Sequence, residues 1–149
     1  MTTTGLDVFD STLQKTNVWL NDVAGQLNLD DRHQAYVVLR AVLHALRDRL
    51  TVEEAVQLAA QLPMLVRGCY YEGWTPTGKP LKWHMRQFLA AIGSSHPLCE
   101  ELDPERVARA VFTVLDTRIS KGEIDDVKHI LPKQLQALWP VRRGMLRSG

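Results

Sequence analysis

Residues 39–74 read LRAVLHALRDRLTVEEAVQLAAQLPMLVRGCYYEGW. Leu39, Val42, Leu43, Leu46 and Leu50 recur at helical spacing, the stripe that an amphipathic helix buries on one side. Thr51-Val52-Glu53-Glu54 is the Thr-x-x-Glu signature of a capping box, in which hydroxyl and carboxylate each satisfy an orphan backbone donor. A third helix follows, with Ala55, Leu58, Ala59 and Leu62 inward. Pro63 cannot continue it, because proline lacks the donor and disfavours helix at the preceding residue. It suits the first position of a new short helix, from 63 to about 71.

The pattern returns further down the chain. Ala108, Val111, Phe112, Leu115 and Ile119 repeat the stripe, Ser120 to Glu123 repeats the box, and Leu131-Pro132 lies 69 positions after Leu62-Pro63. The same shift superposes Arg40 on Arg109, Ala41 on Ala110, Val42 on Val111, Leu46 on Leu115, Arg49 on Arg118 and Glu54 on Glu123, without a gap. Upstream, Phe9, Leu13, Leu20, Val23 and Leu27 form an earlier apolar face, and residues 28–31 form a turn. Residues 73–80, GWTPTGKP, make the clearest linker. After it, Pro80 is expected to start a helix carrying Met85, Phe88, Leu89 and Ile92 on one face, ending at 93–97. Asp103-Pro104-Glu105 opens the next. No stretch alternates like a strand. The expected fold is all-α: an internal duplication of two similar four-helix units, 6–74 and 75–143, packed together as one domain.

Composition sets limits on function. The chain has 149 residues, 45% hydrophobic and 23% charged, with net charge +1. That composition gives a folded domain with a real core and no global pull toward nucleic acid or anionic membrane. Cys69 and Cys99 form no CxxC pair and no disulfide framework, which suits a reducing compartment. No apolar run reaches the length of a membrane span, and MTTTGLDVFD has no signal-peptide pattern. The expected location is the cytoplasm, with no membrane partner.

The stretch from AYVVLRAVLHALRD to VRGCYYEGW, with FDSTLQKTNVWL before it and GEIDDVKHILPKQLQALWP after it, resembles the domain of unknown function 2267 family over nearly the whole chain. The resemblance implies a bacterial, soluble, helical protein. It implies no activity, and it transfers no catalytic residues.

Chemical motifs are sparse. Cys69 aligns with Leu138 and Tyr70 with Trp139, which marks both as core positions rather than a nucleophile and its neighbour. Cys99 and His96 make at most half a metal site. Asp126 and His129 have the carboxylate-x-x-His spacing of helical di-iron proteins, but Gln57 and Ala60 stand at the duplicated positions. Residues 73–79 match the start of a phosphate-binding loop, yet Pro80 stands where the magnesium-binding hydroxyl belongs. No metal and no cofactor is expected.

Two surfaces remain as candidates. Arg67, Tyr71, Glu72 and Trp74 have Gln136, Pro140, Val141 and Arg143 as counterparts, and Arg, Tyr and Trp are the types enriched at binding hot spots. They fit either a partner-binding surface or a clamp on the linker. Arg40, His44 and Arg47 share one face of the second helix and, with Arg32, Arg49 and Arg67, form a possible phosphate-binding patch. The preferred reading is a non-enzymatic interaction module that binds a protein partner or itself. A nucleic-acid-binding helix face is the first alternative. An enzyme with a pocket between the units, using Glu72, His84 or His96, is the second. The tail, with Arg142, Arg143 and Arg147 around Met145 and Leu146, reads as a frayed terminus.

Overall fold

The computed structural model describes residues 3–141, so the tail and the end of the second expected unit lie outside the described residues. Within them the chain is all-helical, and no helix is long and apolar enough to cross a membrane. Helix α1 spans Asp7–Leu27 and ends where Asn28 turns left-handed at φ 55°, a conformation asparagine tolerates well. Helix α2, Arg32–Arg49, starts at Asp31, whose carboxylate accepts from the His33 amide at 2.9 Å. Val38, Leu39, Val42, Leu43 and Leu46 are all buried, and Ala35, Ala41 and Ala45 join them from other sides. This is the burial of a central helix rather than a surface one.

Helices α3 (Val52–Ala59) and α4 (Met64–Tyr71) follow, separated by the Leu62-Pro63 break. Residues 72–84 are irregular. They return to α2, where the Leu81 amide donates to the Asp48 carbonyl at 2.8 Å and Arg49 Nε donates to the Trp83 carbonyl at 2.8 Å. This tethering corrects the expected helix start at Pro80. Helix α5, Met85–Ser95, instead begins after His84, whose amide donates to Gln87 Oε1 at 2.8 Å. A second departure follows it. The short helix α6, Pro97–Glu101, occupies the place that the turn after α1 holds in the first half, so the described part of the second half has five helices rather than four. Helices α7 (Pro104–Arg118), α8 (Lys121–Ile130) and α9 (Lys133–Gln136) complete the order.

Packing between the halves comes in exchanged pairs. Helix α1 lies on α7 and α5 lies on α2, while α2 meets α7 and α3 meets α8. Such reciprocity is the pattern of an isologous contact. One hydrophobic core runs through both halves, from Trp19 and Val23 of α1 to Leu138 and Trp139 after α9.

The two capping boxes form only by half. Thr51 and Ser120 accept from the amides of Glu54 and Glu123 at 3.2 and 3.3 Å. The amide of Ser120, however, donates to Gln61 Oε1 at 3.0 Å, and Gln61 Nε2 donates back to Ser120 Oγ at 3.1 Å. The first half thus supplies the acceptor that Glu123 was expected to provide, and Glu123 turns into the joint between α3 and α8.

Candidate functional site

Glu72 of one candidate surface meets Arg40 and Arg47 of the other at the seam between α2 and the carboxyl end of α4. A helix leaves its last four carbonyls without internal partners, and cations are favoured there. Arg47 meets that need: it is only 4% exposed, and its Nη1 donates to the carbonyls of Tyr70 and Glu72, both at 2.8 Å. Its Nε lies 2.9 Å from Asp48, which balances the charge. One turn earlier, His44 Nε2 donates to the Cys69 carbonyl at 2.7 Å, since a carbonyl only accepts. Burial is the main cause that lowers the His44 pKa below the ordinary imidazole range, reinforced by Arg47 and Arg40, so the ring is held neutral. Another turn earlier, Arg40 Nε pairs with the Glu72 carboxylate at 3.3 Å, on the exposed rim. The three members of the expected basic face therefore point onto α4.

Arg67 turns the other way. Its Nε donates to the Ala59 carbonyl at 2.9 Å and its Nη2 to the Leu62 carbonyl at 3.0 Å, closing the end of α3. In the second half Gln136 Nε2 donates to the Leu131 carbonyl at 2.9 Å, and Leu131 is the counterpart of Leu62. Arg67 thus shares its carbonyl-holding task with its counterpart. Tyr71 and Trp74 are half-buried against the core and pack on each other, ring centroids 5.4 Å apart. The Trp74 indole N–H is buried without a partner.

Of the groups proposed for chemistry, Glu72 pairs with Arg40, while His96 and its neighbour Ser95 bond to backbone. His96 Nδ1 accepts from the Leu98 amide at 3.0 Å, and Ser95 Oγ donates to the Ile92 carbonyl at 2.7 Å. Both line a small cleft against Tyr36, Arg40 and His44, while His84 sits apart as the cap of α5. Burial pushes the thiols of Cys69 and Cys99 up, away from the reactive thiolate. Among the described residues no cluster of three or more His, Cys, Asp or Glu side chains could hold a metal ion.

Two features escape the sequence pattern. The first is the carboxyl pair at the joint. Glu54 and Glu123 are each 8% exposed, and the Oε2 of each is buried with no other partner. The Glu123 carboxyl is pushed up to about 8 by burial, then by the hydrogen bond and charge of Glu54, and least by Asp126. The Glu123 carboxyl therefore keeps its proton at neutral pH. The 69-residue register contained the signal, because it sets glutamate against glutamate on the two helices that meet.

The second feature is a groove of about 740 Å³ between α1 and the α3–α4 corner. Trp19, Leu62 and Pro63 line it beside exposed Val8, Val18 and Met64, which are 57%, 40% and 43% exposed. Lys15, Arg67 and Arg118 are its charged members, and no carboxylate lines it. Arg118 is the one whose charge is met locally, at 2.7 Å from Asp22.

The described helices and this seam define an all-helical scaffold. The family model of an uncharacterized conserved protein group, DUF2267, matches residues 16–138. The chain belongs to that family. No curated protein matches the chain.

Proposed function

We propose that the chain is a non-enzymatic protein-interaction module, with the groove between α1 and the α3–α4 corner as its docking surface. The observation that carries this reading is the pairing of exposed apolar banks with an all-cationic set of charged lining residues. A partner of matching chemistry is an acidic amphipathic helix, with its apolar face on Val8, Val18 and Met64 and its carboxylates toward Lys15 and Arg67. Arg67 belongs to the surface expected from sequence. Tyr71, Glu72 and Trp74 serve it indirectly, as part of the seam that holds α4 in place. The shared 69-residue register supports treating 6–74 and 75–143 as two copies of one unit, and two unpaired thiols support a reducing, cytoplasmic setting.

The nucleic-acid reading is the alternative; His44 and Arg47 spend donors on carbonyls at the end of α4, while Arg40 stays on the exposed rim, paired with Glu72. A labelled 16-residue helical peptide of leucine and glutamate tests the proposal by fluorescence polarisation. Binding that weakens with salt, and falls at least tenfold in a Lys15→Glu, Met64→Glu variant, supports it. Equal affinity for the variant sinks it, as does tighter binding of a labelled DNA duplex.

A further inference from the structure

A cavity of about 250 Å³ lies between α1, α2 and α4, walled by Leu20, Leu39, Leu43, Leu65 and Val66. Its few polar members are distinctive. Thr16 Oγ1 is buried and has no hydrogen-bond partner. Tyr36 and Cys69 line this space. Arg40 lines the same space, and its partner Glu72 is a solvent-exposed carboxylate, the kind of ion pair that contributes little and exchanges readily.

Four of its lining positions carry larger residues in the second half, while Leu39 has the smaller Ala108 as its counterpart. At the positions 69 residues on, Thr16, Leu43, Val66 and Cys69 are replaced by Met85, Phe112, Leu135 and Leu138. Each replacement is larger. Phe112, Leu135 and Leu138 are buried, and Phe112 stacks on Trp139 with centroids 4.2 Å apart. The scaffold therefore accepts larger side chains at these four positions, and the first half does without them. An apolar cavity of about 150 Å³ is enough to bind a benzene-sized molecule, and ligand sites combine apolar walls with a few placed polar groups.

We infer that this cavity is a binding site for a small monocarboxylate with an apolar body of about eight to ten carbons. The body fills the leucine-lined space. The carboxylate accepts from Thr16 Oγ1, which has no other partner, and takes Arg40 from Glu72. Such a site is independent of the docking groove, so either proposal can fail alone.

The test uses the full chain, with octanoate and octanol as probes, read by amide NMR shifts. Octanoate is expected to shift residues 16, 20, 39, 43, 66 and 69 in a saturable way, with octanol at least tenfold weaker. Arg40→Gln is expected to bring the two probes within about threefold of each other. Val66→Leu with Cys69→Leu, the residues of the second half, is expected to abolish both. If that double variant does not fold, Cys69→Leu alone serves, with at least a tenfold loss expected. No cavity-localised shift at millimolar octanoate overturns the inference, as do equal binding of octanol by the native chain and unchanged shifts in the filled variant.

Discussion

The two halves of the molecule share a register and one continuous core, but fill it with different residues. In the second, Phe88, Phe112 and Trp139 form an aromatic run, with centroids 6.1 Å apart for the first pair and 4.2 Å for the second. In the first, the matching positions hold Trp19, Leu43 and Tyr70. Trp19 lies on the groove, Leu43 on the cavity, and Tyr70 sends its hydroxyl to the Ala55 carbonyl at 2.9 Å. The second half fills its interior with rings and keeps its cleft, about 330 Å³, along α7 at Asp103, Glu105 and Arg109. The other keeps space on two sides and is held by polar contacts to backbone, from Arg47, His44 and Tyr70. Residues that face a void give up dispersion contacts, so the filled half is the better candidate for the stable part and the hollow half for the working part.

Truncating the matched pair Leu43 and Phe112 sets the widest contrast. Phe112→Ala removes a buried ring stacked on Trp139 and is expected to cost about 3–5 kcal/mol. Leu43→Ala, whose side chain already faces the cavity, is expected near 2 kcal/mol, the low end for such a change. Urea unfolding of the two variants measures the difference. Equal losses would mean that the cavity wall is as tightly packed as the aromatic run.

The joint between the halves gives the next effect. The folded chain holds the Glu123 proton up to about pH 8, well above the ordinary carboxyl value of 4.5. Folding therefore takes up a proton between those values, so stability falls as pH rises through the window. Glu123→Gln keeps a hydrogen-bonding side chain and removes the charge. It is expected to match the native chain at pH 4 and to exceed it by about 1–3 kcal/mol at pH 9, the usual cost of a buried group left uncompensated. A native chain with flat stability from pH 5 to 9 would show that the Glu123 carboxyl is solvated instead of holding a proton.

How much of this was legible in the sequence depends on which physical term decides each feature. Helix ends were legible because proline, aspartate and threonine act locally: Pro63, Asp31 and Thr51 stand at the helix ends where their chemistry puts them. The start of α5 was not, because its position depends on Leu81 and Trp83 binding the end of α2, a contact between distant residues. The direction of Arg40, His44 and Arg47 was hidden for the same reason. Polar spacing places them on one helix face without saying that α4 lies over it. The cavity was hidden differently. Apolar pattern records which side of a helix is inward, and Leu43 and Phe112 satisfy it equally. Only their volumes differ, and volume matters once the neighbours Thr16 and Cys69, or Met85 and Leu138, are known to meet them.

The smallest expected effect bears most directly on that difference. Val66→Leu with Cys69→Leu writes the second half's residues into the first. If the cavity is merely a packing fault, filling it gains stability without loss of function, about 0.5–2 kcal/mol by the usual yield of cavity-filling changes. Burial of the thiol, which already pushes Cys69 up, means that no reactive group is lost with it. The same gain is expected if the cavity is a ligand site, but then octanoate raises the melting temperature of the native chain and leaves that of the filled variant where it was. Thermal unfolding of both chains, with and without octanoate, separates the two cases. A filled variant less stable than the native chain would instead show that the first half cannot adopt the second half's packing, and the volume comparison between Leu43 and Phe112 would lose its meaning.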